Sequence, residues 1–391
     1  MISVAEAQAL CLDPLSSLGT EQVPIEDAAN RTLSTAAKAH RPQPPFAASA
    51  MDGYAVLDNG GKTYAVIGEA AAGHAWDGTI GPGQALRIFT GAPIPDGATR
   101  VIIQEDVTRD GDQITLNANL DTNPYIRPVG ADFADDFTLD APRVLVPSDI
   151  ALLAAMNVAD VTVARKPHVA LIATGDELVL PGGDPRADQI IASNIFGLKA
   201  LIENAGGTAE ILPIALDTAP ALRAVLEQAI SADLIVTIGG ASVGDHDLVG
   251  KVAQDFGLDR AFYKIAMRPG KPLMSGTLHG KAFLGLPGNP VSAMVCGHLF
   301  LIPMLRKMLG QETILPQPVP VTLGMDIGPN GPREHYMRAT VTEGPEGRMI
   351  IAAERQDSAL LTVLAQANAL LIRPPRDPHR KKGDTLKALL L

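Results

Sequence analysis

The chain has 391 residues, with 32 Lys and Arg against 43 Asp and Glu and a formal net charge of −11. Hydrophobic residues make up 46% and charged residues 19%, which excludes intrinsic disorder and suits a chain of two to four packed domains. The acidic balance and the few aromatics (nine Phe, five Tyr, one Trp) exclude a polyanion-binding or base-stacking surface, so neither nucleic acid nor a membrane is an expected partner.

Two cysteines, Cys11 and Cys296, supply neither a disulfide framework nor a four-ligand zinc site, and point to a reducing, cytoplasmic setting. The opening Met-Ile-Ser-Val-Ala-Glu-Ala lacks the basic and apolar stretches of a signal peptide. The longest apolar run, Val291 to Leu305, is interrupted by Gly297, His298 and Pro303 and falls short of the ~20 residues that span a bilayer.

In chain order, residues 1–40 read as helical, first around Val4, Ala7, Ala9 and Leu10 and again from Ile25 to Leu33. Arg41-Pro-Gln-Pro-Pro45 breaks regular structure. From Tyr54 to about Ile126 short alternating strands separated by Gly, Pro and Asp turns predict a small β module. Residues 148–163 read as helical and then extended, folding back on the N-terminal helices. After Lys166-Pro167, apolar strands alternate with helices: His168–Ala173, a helix from Ile195 to Asn204, Ala209–Ile214, a helix over 221–230, Leu234–Ile238, and a helix from Pro290 toward Leu309. That alternation predicts a doubly wound α/β domain with a mostly parallel sheet. Beyond Pro316-Gln-Pro-Val-Pro320 short alternating strands return, as a second β module.

Three strands of the α/β domain run into glycine- and acid-rich loops at the end where open α/β sheets bind ligands. These are Thr174-Gly175-Asp176-Glu177, Gly239-Gly240-Ala-Ser242-Val-Gly244-Asp245-His-Asp247, and Pro287-Gly288-Asn289-Pro290-Val-Ser292, which opens a helix. Glycine lets backbone N–H groups approach an anion, and a helix N-terminus adds partial positive charge, so the second and third loops are candidate phosphate cradles. Alone each is an ordinary turn; their convergence on one sheet edge is what points to function. Asp176, Glu177, Asp217, Asp245 and Asp247 are candidates to gather round a divalent cation, with Asp245 and His246 also readable as solvated loop residues. Lys264, Arg268 and Lys271 lie in eight positions broken by Pro269-Gly270, a constrained cationic loop suited to an oxyanion. In the first β module, Asp52 sits in a turn and Thr90 at a strand end, neither with a mechanism of its own.

Together these stretches resemble the MoeA-type molybdopterin molybdenumtransferases, the family that includes the E domain of gephyrin and its plant counterparts. The matching segments are Ala50-Met-Asp-Gly-Tyr-Ala55, Arg87-Ile-Phe-Thr-Gly-Ala-Pro-Ile-Pro95, Arg127-Pro-Val-Gly-Ala-Asp132, Thr174-Gly-Asp-Glu-Leu178, Gly239-Gly-Ala-Ser-Val-Gly244, Pro269-Gly-Lys-Pro272, Gly285-Leu-Pro-Gly-Asn-Pro-Val-Ser292 and Arg333-Glu-His-Tyr-Met-Arg338, in family order. One position departs: Arg268 stands where the family pattern usually shows Lys, keeping the charge on a larger, planar group.

The resemblance implies four parts: a helical linker and dimerisation domain (1–40 and 131–165), an inserted β domain (41–130), a molybdopterin-binding α/β domain (166–315) and a C-terminal β-barrel-like domain (316–391). It implies a homodimer whose cleft lies between the α/β domain of one subunit and the inserted domain of the other. The implied reaction converts adenylylated molybdopterin and molybdate to molybdenum cofactor and AMP, with Mg²⁺ as cofactor. An adenylyltransferase of the MogA type and apo-molybdoenzymes are the implied protein partners. Carried over by motif, Asp176, Glu177, Asp217 and Asp247 would organise the metal. Thr174, Gly175, Gly239, Gly240, Ser242, Gly244, Pro287, Gly288 and Asn289 would line the pterin-phosphate site. Lys264, Arg268, Lys271, Ser292, Arg333, Arg338 and Ser358 would hold molybdate or phosphate oxyanions. Asp52, Thr90, Arg127 and Asp132 would come from the inserted domain, with Asp52, Thr90, Asp132, Glu177, Lys264 and Arg268 taken as catalytic. Two alternatives are a stand-alone molybdopterin adenylyltransferase, which would lack the inserted and C-terminal domains, and a non-catalytic scaffold paralogue, which would have lost site carboxylates. A generic phosphotransferase would need a full Gly-x4-Gly-Lys-Ser/Thr loop; the Gly61-Lys62-Thr63 run lacks its leading glycine, since Val56 stands at that position.

Overall fold

The fold is taken from a computed structural model that describes residues 1–240, 248–345 and 347–391. Its centre is a six-stranded sheet in the order Thr208–Ile211, His168–Ala173, Leu234–Ile238, Lys281–Leu286, Pro272–Leu278, Leu258–Lys264. The first four strands are parallel; Pro272–Leu278 runs antiparallel to both its neighbours, so Leu258–Lys264 again runs with the first four. The parallel strands are nearly continuous apolar runs because both faces are covered. Side chains alternate along each strand, so Val169, Leu171 and Ala173 enter one core while Ala170 and Ile172 enter the other. Helices Asn194–Asn204 and Pro290–Cys296 pack on the first face, and Ala219–Ala229 and Leu248–Asp255 on the second.

The predicted first helix is present as Val4–Leu12, started by a Ser3–Glu6 capping box. Its Val4, Ala7 and Cys11 stripe joins the first core of the central sheet. The expected second helix, Ile25 to Leu33, is instead a single turn, Ile25–Asp27, followed by the strand Thr32–Leu33. Strand pairing with the returning segment overrides local propensity there: Thr20–Pro24 and Thr32–Leu33 form one sheet with Arg143–Val144 and Asp160–Ala164, packed on helix Pro147–Ala155.

The chain leaves this region through Ala37–Lys38 and returns through Thr138–Leu139, which pair with each other. Further out Ala48–Ser49 pairs with Ile126–Arg127. Between these crossings lies a six-stranded sheet in the order Arg100–Ile103, Gly53–Val56, Gln84–Ile88, Thr63–Ala70, Gln113–Leu116, Val107–Asp110. The C-terminal region closes into a five-stranded barrel, Glu334–Gly344, Gly347–Ala352, Val319–Leu323, Thr385–Leu390 and Ala369–Arg373, with the last pairing back to the first. The short strand Met267–Arg268, from the cationic loop, pairs with Glu334 and His335 and attaches the barrel to the α/β domain.

The helical run Pro290–Met308 is longer than the Val291–Leu305 stretch suggests, and by length and composition could cross a bilayer. Its side chains are the central core itself: Val291, Val295, Phe300 and Leu305 are all buried between sheet and N-terminal helix.

Candidate active site

A cleft of about 620 Å³ opens at the C-terminal ends of the parallel strands. Thr174, Gly175, Glu177, Asp217, Gly239, Gly240, Pro287, Gly288 and Asn289 all line it, so the first loop, the start of the second and the third do converge. Backbone bonds tie them together: Thr174 N–H donates to Ile238 O at 3.0 Å and Gly239 N–H to Leu286 O at 3.1 Å. Gly239 and Gly240 both have positive φ. A Cβ on Gly240 would lie 2.1 Å from Val249 Cγ2, so only glycine fits this close approach. Gly288 is different, since its Cβ would find only Gly239 Cα at 3.5 Å. The Thr174 hydroxyl is buried and has no hydrogen-bond partner among the described residues, leaving a polar group at the cleft wall for a ligand.

Three carboxylates share one corner. Asp176 Oδ1 accepts the Asp217 backbone N–H at 2.9 Å. The Asp217 carboxyl is pushed above the usual carboxylate range by desolvation first and then by the charges of Asp176 and Glu177. Among the described residues no three His, Cys, Asp or Glu side chains form a ready-made metal cage. Ser242, Gly244 and Asp247, together with Asp245 and His246, lie outside the described residues.

Sequence reasoning missed two contributions to the cleft. Asn194, at the start of its helix, donates from Nδ2 to Gly288 O at 2.7 Å and holds the third loop in place. Ile190 and Ile191, paired with Leu178 and Val179, give the cleft an apolar wall. The signal was present for Asn194 as a polar residue opening an amphipathic segment.

A second polar cluster lies where the barrel meets the α/β domain. Arg338 is fully buried; its Nη2 donates to Asp357 O at 2.8 Å, but Nε and Nη1 have no partner among the described residues. His335 is buried with Nε2 likewise unpartnered. Burial, and after it the positive charges of Arg268, Arg338, Arg373 and Arg333, pull its pKa down to about 4, so the imidazole is neutral at pH 7. Arg333 Nη1 reaches Met267 O at 3.3 Å, and the Lys264 ammonium lies 5.3 Å from the Tyr263 ring centroid. Lys271 O closes the cationic loop by accepting Ile265 N–H at 3.2 Å. Ser358 joins this cluster to the cleft: its Oγ accepts from Asn289 Nδ2 at 3.1 Å and its carbonyl from Val291 N–H at 3.1 Å. Ser292 is buried in the helix beyond.

The remaining predicted residues form a third group. Asp52 Oδ1 accepts from Thr90 N–H at 2.7 Å and Thr90 Oγ1 at 2.8 Å, which lowers the carboxyl's pKa, the backbone bond contributing most. Arg127 and Asp132 are exposed on the segment leaving the same module. No described residue of 41–132 lines the α/β cleft, so within one chain these four are not brought to it.

Comparison with known proteins decides what this arrangement belongs to. Three family profiles cover the chain in order: "MoeA N-terminal region (domain I and II)" over residues 2–157, "Probable molybdopterin binding domain" over 170–307, and "MoeA C-terminal region (domain IV)" over 320–391. A molybdopterin molybdenumtransferase of Nostoc sp. is 33% identical over 392 residues, covering 96% of this chain and 90% of that protein. One from Haemophilus influenzae is 36% identical over 321 residues, covering 80% of this chain and 79% of that protein. The chain belongs to the molybdopterin molybdenumtransferase family. The fold agrees: the crystal structure of a molybdopterin biosynthesis MoeA protein from Pyrococcus horikoshii superposes with a TM-score of 0.84 at 26% identity, covering all of both chains. Because the match to this family runs from the first profile through the barrel, the chain is an enzyme of that family rather than an isolated α/β adenylyltransferase.

Proposed function

We propose that this enzyme inserts molybdenum in cofactor biosynthesis, converting adenylylated molybdopterin and molybdate to molybdenum cofactor and AMP. The observation that carries this reading is the buried guanidinium of Arg338, whose Nε and Nη1 have no partner among the described residues and which adjoins the cleft through Ser358 and Asn289. A buried, unsatisfied cation is costly unless an anion completes it. An adenylyltransferase would have no use for a second, oxyanion-sized site fixed to the first.

In this reading the backbone N–H groups of Gly240 and Gly288, the Thr174 hydroxyl and the N-terminus of the Pro290 helix hold the phosphates of the pterin nucleotide. Ile190 and Ile191 exclude water from its flat ring. Arg338 and Ser358, with Arg268, whose charge acts on Arg338, would hold molybdate by charge-assisted hydrogen bonds, a role we extend to Lys264, Lys271 and Arg333. Asp176, Glu177 and Asp217 would hold Mg²⁺, an ion content with one or two carboxylates plus water and phosphate oxygens; the raised Asp217 carboxyl fits this, because a cation relieves the crowding of negative charge. Such an ion supplies charge neutralisation at the scissile pyrophosphate. We further infer a homodimer in which Asp52, Thr90, Arg127 and Asp132 reach the partner's cleft, the four-part division 1–40 with 131–165, 41–130, 166–315 and 316–391, and a cytoplasmic setting in keeping with two buried free thiols.

The test is single-turnover AMP release from adenylylated molybdopterin with Mg²⁺, with and without molybdate. AMP release that depends on molybdate and drops by at least ~100-fold in Glu177→Ala is the expected result. Molybdate-independent release in the wild type would refute the insertion reading.

A further inference from the structure

We propose that Gln356 is a positioning residue for the oxyanion site, holding Arg338 in fixed relation to Ser358 through a side chain that stands in for a missing strand. The inference rests on the reading of Arg338 as the group that grips a tetrahedral oxyanion. Strand Gly347–Ala352 pairs with Glu334–Gly344 up to Ala339 and Ala352. One step further, Ala353 N–H still donates to Arg338 O at 2.9 Å, and then the chain leaves the barrel. The Arg338 N–H, in a fully buried residue, would be orphaned there. Gln356 supplies what the departed strand would have supplied: Oε1 accepts Arg338 N–H at 3.0 Å, while Nε2 donates to Arg338 O at 3.0 Å and Ala353 O at 2.7 Å. A primary amide is the side chain that repeats the donor and acceptor of a peptide group.

Continuing the ladder by a side chain rather than a strand frees residues 357–359 to cross to the cleft. Asp357 O accepts from Arg338 Nη2 at 2.8 Å, and Asp357 Oδ1 accepts Ala359 N–H at 2.8 Å, turning the loop. Ser358 then meets Asn289 and Val291. Gln356 is therefore the point at which the buried guanidinium and the pterin-phosphate loop are held to one another. Because Arg338 is read as holding the oxyanion, a small misplacement of its guanidinium falls on molybdate binding.

The test is Gln356→Met, matched in length but without amide atoms. Molybdate binding by equilibrium dialysis is expected to weaken by roughly tenfold or more, and the KM for molybdate to rise in step. The kcat at saturating molybdate and the affinity for adenylylated molybdopterin should stay within about twofold. Should the Met variant fail to fold, Gln356→Glu keeps an acceptor for the Arg338 N–H and is expected to show the same split. Unchanged molybdate affinity, or a parallel fall in kcat and both affinities, would overturn the positioning role. The underlying reading has its own control: if Arg338→Met binds molybdate as tightly as wild type, the oxyanion assignment itself fails, whatever Gln356 does.

Discussion

Asp217 carries two opposed demands. Its carboxyl is pushed up by partial burial and then by Asp176 and Glu177, so its folded-state pKa lies above the unfolded value and ionising it weakens the folded chain. That penalty is absent at pH below the unfolded carboxylate pKa and complete once pH exceeds the folded one. Asp217→Asn should therefore melt higher than wild type at pH 7, with the difference vanishing below about pH 4. Mg²⁺ should raise the melting temperature of wild type and do less for the variant. Differential scanning fluorimetry across pH, with and without Mg²⁺, reads both; a wild type more stable than Asp217→Asn at pH 7 would contradict the crowding argument.

At the scale of elements, the strand-end loops separate glycines that the fold needs from one that the ligand needs. Gly240 combines positive φ with a Cβ position only 2.1 Å from Val249. Gly240→Ala is expected to destabilise by about 1–3 kcal/mol in urea unfolding. Gly288 has room for a methyl group, its nearest neighbour being Gly239 Cα at 3.5 Å. Gly288→Ala should change stability by no more than about 0.5 kcal/mol, yet weaken binding of the pterin nucleotide by about tenfold or more, because the methyl occupies the phosphate cradle. Equal stability loss in both variants would remove this distinction. The alternation of strands and helices and the helix N-terminus at Pro290 were legible because apolar runs and glycine loops alternate along the chain; the strand order, and the strands Leu258–Lys264 and Pro272–Leu278, were not. The segment Ile25–Leu33 was not, because its strand Thr32–Leu33 exists only by pairing with Arg143–Val144 and Val163, more than a hundred residues away.

For the whole molecule, the proposed role of Asp52 and Thr90 requires a second copy of the chain. They form a rigid, hydrogen-bonded pair on a module tethered by two short ladders, and no described residue of that module lines the cleft. If the cleft is completed by a second copy, Asp52→Asn and Glu177→Ala lie on different subunits of each site. Mixing and reannealing the two inactive variants in equal amounts should then restore roughly a quarter of wild-type turnover, through heterodimers with one intact site. No recovery in verified heterodimers would place both residues in a site made by one chain.

The sequence by itself determined the family, the α/β alternation and nine of the residues that line the cleft, since glycine, Asp-Glu and Pro-Gly-Asn loops at strand ends are local patterns with local causes. Through the family resemblance it also named Arg338 and Ser358 among seven oxyanion candidates, without saying which of them meet. Tertiary structure alone decided that Arg338 is buried with two nitrogens lacking a partner among the described residues, that Ser358 bonds the Asn289 side chain, and that Asn194 and Gln356 bond to Gly288 and Arg338. Those contacts join residues 18 to 94 positions apart. Burial and hydrogen-bond satisfaction are properties of the packed chain, and no short window of residue types encodes them.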